Sequence, residues 1–76
     1  MNREQLRNRL KEIGIGAARY SLAGGMPDNK LCMDTEDGRW IVYYSERGIR
    51  TFEESFDTEV EACECFLNKF ISWDLK

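Results

Sequence analysis

The chain has 76 residues, 42% of them hydrophobic, 33% charged and 12% aromatic, with one proline and no histidine. That composition excludes a disordered or collagen-like segment, and the length leaves room for one small domain spanning 1–76, with little left over for an enclosed pocket. Fourteen acids against eleven bases give a net charge of −3.

The first residues, Met1-Asn2-Arg3-Glu4-Gln5, run directly into a charged helical pattern, and no apolar run approaches the roughly eighteen residues that a membrane span needs. The expectation is a cytoplasmic protein. Leu6, Leu10 and Ile13 fall at i, i+4 and i+7, which predicts a helix over 2–13. Asn2 caps it, with Gln5 three residues on, and Gly14 stops it in a left-handed cap with Ile15 folded back.

Residues 18–22 read as a short strand with Tyr20 and Leu22 on one face, and Gly24-Gly25-Met26-Pro27-Asp28-Asn29 reads as a loop. The strongest local signal follows. Strands over 31–36 and 39–45 flank Asp37-Gly38, the preferred pair for a two-residue type I′ hairpin. The turn fixes the register: Glu36 opposite Arg39, Thr35 opposite Trp40, Met33 opposite Val42 and Leu31 opposite Tyr44. Leu31, Met33, Trp40, Val42 and Tyr44 then form a core face, while Cys32, Asp34, Ile41 and Tyr43 form the other.

A fourth strand is expected over 49–54. Arginine disfavours positive φ, so the preferred connection is a three-residue loop, Glu46-Arg47-Gly48, which pairs Phe52 with Val42 and buries its ring. A two-residue loop would turn Phe52 outward. The last helix begins at the Thr58-Glu59-Val60-Glu61 capping box, burying Cys63, Phe66, Leu67 and Phe70 and leaving Glu61, Glu64 and Cys65 to solvent. Trp73, beyond it, reads equally as a packing clamp or an exposed anchor. The predicted fold class is α+β: a four-stranded antiparallel meander with N- and C-terminal helices packed on one face.

Catalysis is disfavoured. Without histidine the Ser-His and Cys-His nucleophile systems are absent, and no glycine-rich phosphate loop occurs. Cys32, Cys63 and Cys65 are an odd count and read as reduced thiols; a zinc site would want a fourth ligand. Neither a metal nor another cofactor is expected.

The order of elements resembles double-stranded-RNA-binding domains, which need cations where the last helix meets phosphate. Here Glu53, Glu54, Asp57, Glu59, Glu61 and Glu64 lie between residues 51 and 68, with no Lys or Arg among them. Direct nucleic-acid binding through this end is therefore not expected. Residues 1–50 carry nine bases and seven acids, and 51–76 two and seven, so the halves stand at +2 and −5. Arg3, Arg7 and Lys11 form a basic ridge, which reads first as a solvated helix face. The acidic end imitates the charge spacing of a phosphate backbone and suits the cationic cleft of a nuclease, while capping and solubility explain the same acids more plainly. On the second sheet face, Tyr43 and Ile41 beside Arg39 have the make-up of a binding hot spot or a homodimer seam, and equally of ordinary cross-strand pairing.

Three segments carry a resemblance: Tyr20-Ser21-Leu22 before a glycine-containing loop; Trp40-Ile41-Val42-Tyr43-Tyr44-Ser45-Glu46-Arg47-Gly48; and Phe56-Asp57-Thr58-Glu59 leading to Ala62-Cys63 and Phe66. Together they resemble small bacterial immunity proteins that neutralise polymorphic or contact-dependent toxins. The resemblance implies an α+β immunity fold in the cytoplasm, no enzymatic activity, and a cognate toxin domain as partner, with Glu46 and Arg47 carried over as interface residues. The expected function is an antitoxin that occludes a toxin, with a nuclease favoured. Its binding residues would be Glu53, Glu54, Asp57, Glu61, Glu64, Tyr43, Ile41, Arg39, Glu46 and Arg47. The alternative is a homodimeric or adaptor module that uses the open sheet face.

Overall fold

A computed structural model describes residues 1–25 and 28–74, with side chains as far as Ser72. Met26 and Pro27, in the expected loop, and the Trp73 side chain lie outside the described residues. The elements in chain order are α1 (Arg3–Glu12), a 3₁₀ turn (Ala17–Arg19), β1 (Tyr20–Ser21), β2 (Lys30–Glu36), β3 (Arg39–Glu46), β4 (Ile49–Phe56) and α2 (Glu59–Asp74).

Both ends of α1 follow from side-chain chemistry. Gln5 N–H donates to Asn2 Oδ1 at 2.8 Å and Asn2 N–H donates to Gln5 Oε1 at 2.9 Å, a complete capping box. At the other end Gly14 sits at φ +87°, Ile15 N–H donates to Leu10 O at 2.9 Å, and Gly14 N–H donates to Lys11 O at 3.1 Å. This is a Schellman stop with Ile15 buried as expected; Ile13, read as part of the apolar stripe, is instead 43% exposed because the helix ends one residue before it.

The sheet order is β1-β2-β3-β4, and the fold is α+β as expected, but the sheet is mixed. β1 runs parallel to β2, pairing Tyr20 with Leu31 and Ser21 with Cys32. Two strand residues span only about 7 Å, so residues 22–29 suffice to carry the chain back to its starting level. The β2–β3 hairpin has the predicted register from Glu36↔Arg39 to Leu31↔Tyr44, with Asp37 at φ +53° and Gly38 at φ +77° in its turn.

The β3–β4 connection differs from expectation. Arg47 at φ +51° and Gly48 at φ +78° form a two-residue turn that pairs Glu46 with Ile49. Left-handed backbone costs a non-glycine residue about 1–2 kcal/mol. Two gains offset it: the turn matches the strand twist, and Arg47 N–H donates to Asp28 Oδ1 at 3.2 Å. The register then shifts between Tyr44↔Thr51 and Val42↔Glu54. This bulge contains Phe52 at φ +54° and reverses the side-chain alternation. Phe56, opposite Trp40, is thereby packed against the core, and Phe52, expected inside, is 71% exposed.

The main core joins Leu6 and Leu10 of α1 to Leu31, Met33 and Val42 of the sheet and to Cys63, Phe66 and Phe70 of α2. Tyr20 meets the Phe66 and Phe70 rings edge-on, at centroid distances of 6.0 and 6.1 Å. α2 starts at the predicted cap, where Glu61 N–H donates to Thr58 Oγ1 at 3.2 Å. Among the described residues no helix is long and apolar enough to cross a membrane.

Candidate functional site

The second sheet face is not an open aromatic surface. Cys32, Ile41 and Tyr43 form a separate cluster, with Ile41 5% exposed and Cys32 and Tyr43 fully buried. What closes it comes from distant parts of the chain. The Arg50 guanidinium lies 4.4 Å from the Tyr43 ring centroid, held by Glu36 Oε2 at 2.9 Å and Glu53 Oε1 at 3.3 Å. From the other direction the Tyr43 hydroxyl donates to Gly25 O at 2.6 Å, and Ser21 Oγ donates to Gly24 O at 2.9 Å. Burial pushes the Tyr43 hydroxyl and the Cys32 thiol above their ordinary pKa values, and the hydrogen bond to Glu36 leads the causes that push Arg50 up. Tyr43 and Ile41 are therefore packing residues, and the exposed pair expected on an open sheet face is instead buried.

The acidic end is more compensated than its sequence. Cations arrive from elsewhere in the chain: Arg50 at Glu53, Lys69 at Glu54 (3.6 Å), Arg39 at Asp57 (3.4 Å) and Arg3 at Glu59 (3.8 Å). Arg3 is further fixed by its backbone N–H donating to Glu59 Oε2 at 3.0 Å and by its place 5.2 Å from the Trp40 ring centroid. Glu61 and Glu64 are exposed on α2 and have no cation partner among the described residues. The unbroken phosphate-like row read from the sequence is thus reduced to two carboxylates without a cation, Glu61 of which accepts from the Thr58 hydroxyl at 3.0 Å, plus four paired ones.

Cys65, expected in solvent, is half-buried, and its thiol donates to Glu54 Oε2 at 2.9 Å. Burial first, and then the carboxylate, push the thiol pKa up to about 12, while the same hydrogen bond, joined by Lys69, holds Glu54 below the usual carboxylate range. A thiol so held is a poor nucleophile. Among the described residues no group of three or more His, Cys, Asp or Glu side chains is arranged to hold a metal.

Among the described residues the two most exposed large apolar side chains lie on β4, while Met1, Ile13, Val60 and Ile71, at or beside the two helices, are exposed to a lesser degree. β4 is an edge strand, with Ile49 63% and Phe52 71% exposed. Glu46 and Arg47, two of the residues expected to bind, are exposed at the tip of the β3–β4 hairpin. Over residues 46–57 the chain carries four acids, Glu46, Glu53, Glu54 and Asp57, and two bases, all of the acids exposed. Phe52, expected in the core, is thus among the residues whose placement the structure corrects. The two-residue turn, the alternative to the three-residue loop, is the signal for an outward Phe52.

Compared with protein-family models, curated proteins and solved structures, the chain finds no significant match.

Proposed function

We propose that this chain is an immunity-type protein that binds and occludes a cognate toxin domain, docking through the β4 edge with Phe52 as its anchor. The observation that carries the reading is the state of Phe52: a large aromatic at φ +54° in a bulge, 71% exposed on a free edge strand. Bulky residues are rare at positive φ, and such strain persists where the surroundings impose it and tends to gather at binding sites. Aromatic side chains give interfaces much of their energy from a desolvated centre. The partner is a cationic protein surface, because Glu46, Glu61 and Glu64 are exposed and have no cation partner among the described residues. The nucleic-acid cleft of a nuclease toxin is the surface of that kind we favour, and the immunity role itself rests on the Trp40–Gly48 resemblance.

The test is genetic and then physical. The reading frame adjacent to this gene is expressed in cells with and without the chain, and the wild type is expected to restore growth. Phe52→Asp is expected to lose that protection with an unchanged melting temperature, and charge reversal at Glu61 and Glu64 to slow association in low salt only. A neighbouring product that never impairs growth, or protection indifferent to Phe52→Asp, overturns the proposal.

A further inference from the structure

A second surface, distinct from the β4 edge, lies where the end of α1 meets the 3₁₀ turn. A cleft of about 280 Å³ is lined there by Arg7, Lys11, Ile15, Gly16, Ala17 and Tyr20. Its floor is apolar, since Ile15 and Tyr20 are buried core residues that show one edge to it. Its rim is cationic. Arg7 and Lys11 are one helical turn apart, a like-charge spacing that slightly destabilises a helix.

Those two cations differ from most others in the chain. Arg3, Arg9, Arg39, Arg50 and Lys69 each have a carboxylate within 4.0 Å, whereas Arg7 and Lys11 have no ion pair or hydrogen bond among the described residues. Gly16 provides a further observation. Its backbone, at φ −72° and ψ 150°, suits any residue, and a Cβ built on it meets nothing within 4 Å. Neither conformation nor packing asks for glycine at this position, which lines the cleft and has open space where a Cβ would stand.

We propose that this cleft docks an acidic peptide segment of a partner protein, an apolar side chain entering between Arg7 and Gly16 while flanking carboxylates pair with Arg7 and Lys11. Charge complementarity selects the occupant: apolar surface alone would accept any hydrophobic chain, but two uncompensated cations on its rim favour carboxylates on both sides of the anchor. The size admits one side chain and no drug-sized ligand.

The experiment is a titration of the ¹⁵N-labelled protein with an acetylated, amidated pentapeptide Glu-Asp-Leu-Glu-Glu, followed by amide shifts. The expected result is saturable shifts confined to Lys11, Ile15, Gly16, Ala17 and Tyr20. Affinity should weaken about tenfold or more with the neutral peptide Gln-Asn-Leu-Gln-Gln, with Glu-Asp-Gly-Glu-Glu, or with the Arg7→Glu/Lys11→Glu variant. Gly16→Leu, which fills the mouth, should abolish the shifts while leaving circular dichroism and melting temperature unchanged. Shifts that are absent, that map elsewhere, that are equal for the neutral peptide, or that survive Gly16→Leu overturn the proposal. The β4 edge is untouched by these variants, so failure here is distinguishable from failure of the toxin-binding reading.

Discussion

The Arg50 guanidinium covers the Tyr43 ring at 4.4 Å and is itself gripped by Glu36 and Glu53. A single side chain thus does for one sheet face what two helices do for the other. Arg50→Ala is expected to destabilise the protein by about 1–2 kcal/mol, from the lost cation–π contact and the uncovered cluster. Arg50→Lys should recover only part of this, because an ammonium cannot reproduce the planar fork. Urea unfolding of the three proteins decides the matter, and equal midpoints would contradict this account of the face.

Gly24 is constrained in two ways. It sits at φ +78°, and a Cβ built on it collides with the Asp34 carboxylate. Gly24→Ala should cost about 1–3 kcal/mol. Adding Asp34→Ala should restore the part due to the collision and leave the part due to φ, a separation that a double-mutant cycle of melting temperatures resolves.

Stability should vary with pH at both ends of the Cys65–Glu54 hydrogen bond. Folding raises the thiol pKa from 9.0 to about 12, so the neutral thiol's contribution is complete below pH 9 and lost as pH climbs towards 12. Glu54 is shifted downward, so its contribution is complete above the ordinary carboxylate value of 4.5 and is lost in acid below it. The stability difference between wild type and Cys65→Ala should therefore shrink above pH 9. Alkylation of Cys65 by iodoacetamide at pH 8 should be far slower than for a free thiol. A difference that grows with alkali would contradict the assignment.

Ser45 is fully buried, and its hydroxyl has no hydrogen-bond partner among the described residues. Removing an unpaired buried polar group returns its desolvation cost, of order 1 kcal/mol. Ser45→Ala should therefore unfold at equal or higher urea than wild type. A drop beyond 1 kcal/mol would mean that the hydroxyl is bonded after all.

Phe52→Gly removes a side chain that contributes little burial and relieves a left-handed backbone costing about 1–2 kcal/mol, against a glycine entropy loss of about 0.5–1 kcal/mol. Its melting temperature should stay level or rise slightly. Combined with lost toxin protection, that result would separate a binding role from a structural one.

What was legible in the sequence was local chemistry. Asp37-Gly38 specified the whole β2–β3 register, Asn2 and Thr58 marked two helix starts, and Gly14 marked a helix stop with Ile15 returning to the core. What failed depended on distant partners or on a cost outweighed elsewhere. Arg47 accepts φ +51° because Asp28 and the strand twist reward the turn, and that one choice sends Phe52 outward. Tyr43 is buried by Arg50 and Gly25, neither of which is its neighbour on the expected surface. The acids of 53–59 meet cations drawn from α1, β3, β4 and α2. Of the candidate site, Glu46 and Arg47 are exposed at the hairpin, as a loop position implies, whereas the exposure of Phe52 depends on the turn type.

The kink at Phe52 divides the outer strand into two short runs, Ile49–Thr51 and Glu54–Phe56, on either side of the irregular pair. A stray strand from another molecule would find no more than three regular rungs before losing step. The exposed ring therefore sits on an edge that offers a poor template for strand addition.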